Sequence, residues 1–331
     1  MDKNNLAPFV SVIIVNWNGA QYIEKCISSL LEMSYNSFEI VVVDNNSTDN
    51  SVDIIKNISP KIKIIVNKRN LGFARACNIG IEVAKGEYIG LFNNDAIADR
   101  EWLSELLIAL SNTEQAGAAG GLVYYCEPPD RIWFSGGKVD VATGYFWNVG
   151  QNSRRFAIGE EIDTLTGCAV LLRKDVLKRL GFLDEGYFLY GEDIDLSINI
   201  KRLGKKLLFV PSAISWHMVS SSKKKAPRFT HEMKIASDLR VIFKNFPLRY
   251  LPSAVVFRSL ILPFAEAVYF YKDPTFFLVA VKKLAQNFRD LKHTFKARKR
   301  VEQFGQTPLK IRLKEIMREV VKRIEEKQLY W

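Results

Sequence analysis

FEIVVVDNNSTDNS, residues 38–51, decides the fold. Phe38–Val43 is an apolar, mostly β-branched run, which suits a strand buried on both faces. It stops at Asp44-Asn45-Asn46, a turn-forming cluster, and Ser51–Ile58 then has helical spacing, with Thr48 or Asp49 available as a cap. The same unit recurs on either side. Val10–Val15 reads as a buried strand that ends in Asn16-Trp17-Asn18 and leads into a helix over Tyr22–Met33. Lys63–Val66 reads as a strand, Phe73–Ala84 as a helix, and Tyr88–Phe92 as a strand ending in Asn93-Asn94-Asp95, before a helix over Trp102–Leu110. Strands alternating with helices predict an α/β fold with a mostly parallel central sheet. In such sheets ligands sit at the carboxyl ends of the strands, so the three polar clusters are expected on one rim.

The segment from about Gly120 to Gly167 is rich in Gly and aromatics and suggests short antiparallel strands and loops. Thr166–Leu172 is strand-like. Lys174–Leu180 and Asp193–Leu203 read as helices stopped by Gly181 and Gly204, and Lys206–Val210 as a strand that Pro211 ends. Ser220–Lys225 looks like a mobile loop, and from Phe229 onward the pattern is helical. Two domains are expected, over residues 1–220 and 221–331.

Of the net charge of +11, residues 282–331 carry 15 Lys/Arg against 6 Asp/Glu, which leaves the rest of the chain near balance at 32 against 30. A basic, amphipathic helical tail points to an anionic membrane surface. Nucleic acid is the other conceivable partner, but no helix-turn-helix, zinc-finger or RNP-like pattern supports it. A helical subdomain or an oligomer interface would explain the tail equally well, so a homo-oligomer stays open. The apolar stretch 251–288 is broken by Pro, Arg, Glu, Lys and Asp, and lacks the roughly 20 uninterrupted apolar residues of a membrane span. Cys26, Cys77, Cys126 and Cys168 form no CxxC pair, and MDKNNLAPFV has no apolar signal-like region. Both features lead to the expectation of a reducing, cytoplasmic setting, peripheral to the inner membrane face.

Three clusters carry possible chemistry. Asp44 at a strand end could accept a hydrogen bond from a nucleotide base or ribose, or could simply make an Asx turn. Asp95 offers a carboxylate where a nucleotide diphosphate would need a hard divalent cation, Mg2+ or Mn2+, with waters and phosphates as further ligands. Glu192, Asp193 and Asp195 suit the positive end of a helix, yet three carboxylates in four residues also suggest a general base. His217 is one of only three histidines, a structural residue or a metal ligand. There is no GxxxxGK[ST] loop, no GxGxxG after the first strand and no GxSxG elbow.

Taken in order, SVIIVNWNG (11–19), EIVVVDNNSTDNS (39–51), NLGFARACNIGI (70–81), GEYIGLFNNDA (86–96), TGCAVLLRKDVLKRLGFLDEGYFLYGEDIDL (166–196) and PSAISWH (211–217) resemble the family 2 glycosyltransferases, an inverting group with the GT-A fold. The likeness is greatest to the non-processive branch that includes bacterial rhamnosyltransferases. It implies transfer of a sugar from a nucleotide-diphosphate donor, dTDP-rhamnose or a UDP sugar, to a glycan or lipid-linked glycan. The alternative is a nucleotide-sugar-binding scaffold protein with a degenerate metal site. The resemblance puts Val15, Asn16 and Trp17 at the base pocket and Asp44 on the base. Asn70, Gly72 and Asn78 fall in the donor-binding region. Asn94 and Asp95 stand at the metal motif, Asp193 at the catalytic base with Glu192 beside it, and His217 at a residue that completes the metal site. Two amides replace acids in Asn93-Asn94-Asp95, and Asn199 stands where related chains often carry Arg. No QxxRW motif is present, which implies one sugar per encounter.

Overall fold

The β-branched runs form the expected parallel sheet because each can bury both of its faces. The structure, a computed structural model, describes residues 7–155, 162–219, 227–267, 273, 275–316 and 318. Strands β1 (Val10–Asn16), β2 (Phe38–Asp44), β3 (Lys63–Val66) and β4 (Tyr88–Asn93) lie parallel in the order β3-β2-β1-β4. On one face Val10, Val12 and Ile14 join a core with Ile23, Cys26, Ile27 and Leu30 of α1 (Ile23–Leu31). Helices α2 (Ser51–Ile58) and α3 (Phe73–Val83) complete the alternation. Strand β5 (Ala96–Ala98) precedes α4 (Trp102–Ser111), whose Trp102 packs edge-on against Phe92 at 4.9 Å.

The segment from Gly120 to Gly167 holds the expected short strands, apart from the end of a long strand where it begins. Strand β6 (Ala116–Tyr125) is ten residues long and central, and β7 (Ile132–Phe134) is a short antiparallel addition to it. Strands β8 (Gly137–Asp140) and β9 (Tyr145–Asn148) pair separately. Strand β10 (Ala169–Arg173) runs antiparallel between β4 and β6. Helices α5 (Lys174–Leu180) and α6 (Glu192–Arg202) follow, then β11 (Lys206–His217), parallel to β6 and antiparallel to β5. Pro211 does not end β11; the strand shifts register between Val210 and Ile214 and continues to His217, and a bulge is where a sheet tolerates a missing N–H. The result is an α/β fold of GT-A type, with a mostly parallel sheet flanked by helices.

Two compact units result: residues 1–137 with 148–220, and residues 138–147 with 221–331. In the second, α7 (Pro227–Asn245), α8 (Leu251–Val256), a π-helical turn (Phe257–Ile261), α9 (Leu262–Glu266), α10 (Thr275–Arg289) and α11 (Leu291–Glu302) gather around Ile235, Leu239, Phe243 and Ala280. Arg258 is buried and paired with Asp238, its Nε donating at 2.7 Å. The Arg298 guanidinium caps the end of α7 by donating to the carbonyls of Phe243 and Phe246 at 3.1 and 2.7 Å. The stretch 248–265 meets the length and composition of a membrane-crossing helix, which the interruptions in its sequence did not suggest. The expected loop Ser220–Lys225, apart from its flanks, and residues 319–331 of the basic tail lie outside the described residues.

Candidate active site

Parallel pairing aligns the strand ends, and the rim clusters meet there. Asn16 is opposite Asp44 in the β1–β2 register, and Val15 is opposite Asn93 in β1–β4. Asn16 is buried and acts as a hub. Its Nδ2 donates to Asp44 Oδ1 at 2.8 Å and to Ser51 Oγ at 2.9 Å, and its Oδ1 accepts from Asn94 Nδ2 at 2.9 Å. Asp44, also buried, accepts from the Ser47 N–H at 2.8 Å and from Ser47 Oγ at 2.5 Å. The Asx turn and the strand-end carboxylate are therefore one object. Val15 is half-buried beside it, while Trp17 is 53% exposed at the lip.

Asn70 and Gly72 shape the entrance to α3. Asn70 Oδ1 accepts from the Gly72 N–H at 2.9 Å. Gly72 has φ +84°, and a Cβ there would stand 2.6 Å from the Phe188 carbonyl oxygen, so only glycine fits without strain. Phe188 accepts in turn from the Phe73 N–H at 2.8 Å. The amide of Asn78, a residue expected in the donor-binding region, exchanges two hydrogen bonds with the Leu183 backbone, at 2.9 and 3.0 Å, and clamps the loop before α6.

Asp95 and His217 are 122 positions apart and meet because β11 pairs with β5, His217 opposite Ala96. His217 Nε2 lies 3.0 Å from Asp95 Oδ1, both side chains are buried, and the ring stacks edge-on against Trp133 at 4.4 Å. Burial disfavours the imidazolium, but the neighbouring Cys168 and Asp95, with its hydrogen bond, outweigh it and push the pKa up to about 10. The buried His217 Nδ1 has no hydrogen-bond partner. A divalent cation held here would displace the proton between His217 and Asp95, leaving one carboxylate oxygen and one imidazole nitrogen as ligands, with donor phosphates and water as the others. No group of three or more His, Cys, Asp or Glu that could hold a metal occurs among the described residues.

Glu192 and Asp193 open α6 after Tyr190 and Gly191, both at positive φ. Asp193 Oδ2 accepts from the Gly167 N–H at 3.1 Å and Oδ1 from the Ile194 N–H at 2.8 Å. The carbonyl of the next residue, Cys168, accepts from the Asn93 N–H at 2.8 Å, so a short run of backbone joins Asp193 to the end of β4, two residues before Asp95. Glu192 is buried, and its Oε2 has no hydrogen-bond partner. Burial, then the charges of Asp193 and Asp195, push its pKa up to about 8. Burial beside Glu192 and Asp95 pushes Tyr190 up to about 12. Asp195 accepts from the Tyr187 hydroxyl at 3.3 Å, and Asn199 donates to the Asp195 carbonyl at 2.8 Å, so both serve the helix interior. Sequence reasoning did not single out Tyr190, Cys168 or Trp133. The glycine before an acidic helix start hinted at the first; nothing local marks the others, which arrive through sheet pairing.

The pattern of Glycosyl transferase family 2 matches residues 11–181, just over half of the chain. An uncharacterised glycosyltransferase of Haemophilus influenzae is 37% identical over 116 residues, 34% of this chain and 36% of that protein. The N-acetylglucosaminyl-diphospho-decaprenol L-rhamnosyltransferase of Mycobacterium tuberculosis is 26% identical over 242 residues, 65% of this chain and 78% of that protein. The first curated relatives are thus matched over only about a third to a half of their own length. Among solved structures, the mannosyltransferase PcManGT from Pyrobaculum calidifontis, in complex with GDP-Man and Mn2+, aligns with a TM-score of 0.56 at 17% identity, over 91% of this chain and 86% of that one. That likeness shows the shared fold, and the family pattern, which spans more than half of the chain, establishes that the chain belongs to glycosyl transferase family 2.

Proposed function

We propose that the chain moves a sugar from a nucleotide-diphosphate donor, dTDP-rhamnose or a UDP sugar, to a hydroxyl of a glycan or lipid-linked glycan, with inversion and one sugar per encounter. The observation that carries this reading is the backbone link Asp193–Gly167–Cys168–Asn93, which keeps a carboxylate beside the strand end that bears Asp95. The base rests against Val15, Asn16 and Trp17, with Asp44 orienting Asn16 and Ser47 from below. Asn70 and Gly72 fix the loop that borders the donor, Asn78 fixes the loop before α6, and Asn94 faces the diphosphate. Asp193 accepts the proton of the acceptor hydroxyl as its oxygen attacks the anomeric carbon, and the nucleotide diphosphate leaves from the opposite face. Glu192, protonated near neutral pH, keeps a second negative charge away from Asp193. Asp95 and His217 would hold Mg2+ or Mn2+, which when bound neutralises charge on the leaving diphosphate. The N-acetylglucosaminyl-diphospho-decaprenol acceptor of the mycobacterial relative supports a lipid-linked diphosphate acceptor for this chain too. The use of a nucleotide sugar supports work in the cytoplasm.

A thermal-shift panel of nucleotide diphosphates and their sugars, with and without Mn2+, followed by NMR of the product anomer, tests the proposal. Stabilisation by one sugar nucleotide, and its metal-dependent turnover with inversion, is the expected result. Tight binding without turnover by any acceptor or by water would favour a scaffold role.

A further inference from the structure

We propose that the second compact unit docks on an anionic lipid bilayer through a specific apolar face, lying in the interface rather than crossing it. Val256, Leu260, Ile261 and Phe264 are all exposed and recur at helical spacing along α8, the π-helical turn and α9. On α10, Leu278, Val281 and Phe288 are exposed at the same kind of spacing, with the exposed Lys282 among them. The Phe264 and Phe277 rings meet edge-on at 5.8 Å and bring the two stripes together. Phe264 is 59% and Leu278 63% exposed, although each lies in a helix whose opposite side is packed. Single exposed apolar residues are ordinary; two adjoining stripes of them mark an interaction surface.

Charge identifies the occupant. The second unit carries 26 Lys/Arg against 11 Asp/Glu, which leaves 21 against 25 for the first. A second copy of the same unit, equally cationic, would be repelled across this face. Nucleic acid would meet the cations but leave Leu, Ile and Phe against water. An anionic bilayer takes both, the apolar side chains below the headgroups and the cations among them. The stretch 248–265 is long enough to cross a bilayer, but its inner side is committed to the unit. Ala254, Arg258 and Ser259 are buried there, and Arg258 is paired with Asp238 of α7. Lifting this helix out to span would break that pair, whereas lying in the interface leaves it intact.

The full-length protein should sediment with phosphatidylglycerol–phosphatidylcholine vesicles at low salt, less at high salt, and weakly with phosphatidylcholine alone. The triple variant Leu260→Ser, Ile261→Ser, Phe264→Ser should bind at least about tenfold more weakly, with an unchanged melting temperature and unchanged mass by light scattering. If that variant does not fold, the single Phe264→Ser, at a largely exposed side chain, should shift binding in the same direction. The proposal is overturned if the wild type ignores the anionic vesicles at low salt. It is also overturned if the variants bind as well as wild type, or if they convert a wild-type oligomer to monomer, which would make the face a contact between copies.

Discussion

Asp44 and Glu192 are both buried acids at the mouth of one sheet, yet their surroundings are opposite. Asp44 accepts from Asn16, from the Ser47 N–H and from the Ser47 hydroxyl. Glu192 has a buried oxygen that accepts from nothing. A carboxylate saturated with donors is held rigid and builds a wall; one denied donors and crowded by Asp193 holds its proton near neutral pH. The Asp44 side of the rim is thus assembled from satisfied polar groups, and the Glu192 side is left electrostatically tense, as perturbed groups at reactive sites commonly are.

The largest effect should come from the tense side. Asp193→Asn should lower kcat by about 10²- to 10⁴-fold while leaving donor binding and the melting temperature close to wild type. Near-normal turnover would remove Asp193 from the base role. Next, Asp44→Ala should cost about 3 kcal/mol in chemical denaturation, roughly one for each hydrogen bond lost, because Asn16 and Ser47 are left with buried unpaired donors. A loss under about 1 kcal/mol would mean that Asp44 is not structural, contrary to its contrast with Glu192.

Glu192→Gln sharpens the same contrast through pH. The folded-state pKa, about 8, lies above the ordinary 4.5, so folding favours the protonated acid. That contribution is complete below about 4.5 and fades as pH rises through about 8. Relative to wild type, the Gln variant should therefore gain stability steadily across that window, by up to about 5 kcal/mol in total, and no more above it. A flat difference would show Glu192 ionised throughout. Smallest in stability is Trp17→Ala, at an exposed lip: folding should change by less than about 0.5 kcal/mol, while nucleotide affinity, read by calorimetry, falls about tenfold.

The parallel half of the fold was legible because its strands are written in Val and Ile and its rim in Asn and Asp. Strand β6 was not, since AGAAGGLVYY reads as a loop. Its small residues answer close neighbours: a Cβ on Gly121 would fall 1.8 Å from the Ala213 carbonyl oxygen, so β11 permits nothing larger. The same concealment applies to the site. Asp193 stood out by local charge density, whereas the Asp95–His217 contact depends on β11 running on past Pro211, which no nearby residue announces. Asn78 lay within a family motif, but its partners belong to the loop before α6, a tertiary contact that motif position does not encode.

The hydrogen bond from the Asn93 N–H to the Cys168 carbonyl, with the Gly167 N–H held by Asp193, ties the start of α6 to the end of β4 through backbone. Neighbouring strands keep about 4.8 Å between them whatever side chains they carry. The tie therefore keeps its span when the side chains around it change, so a substitution elsewhere on the rim should leave the start of α6 seated against β4.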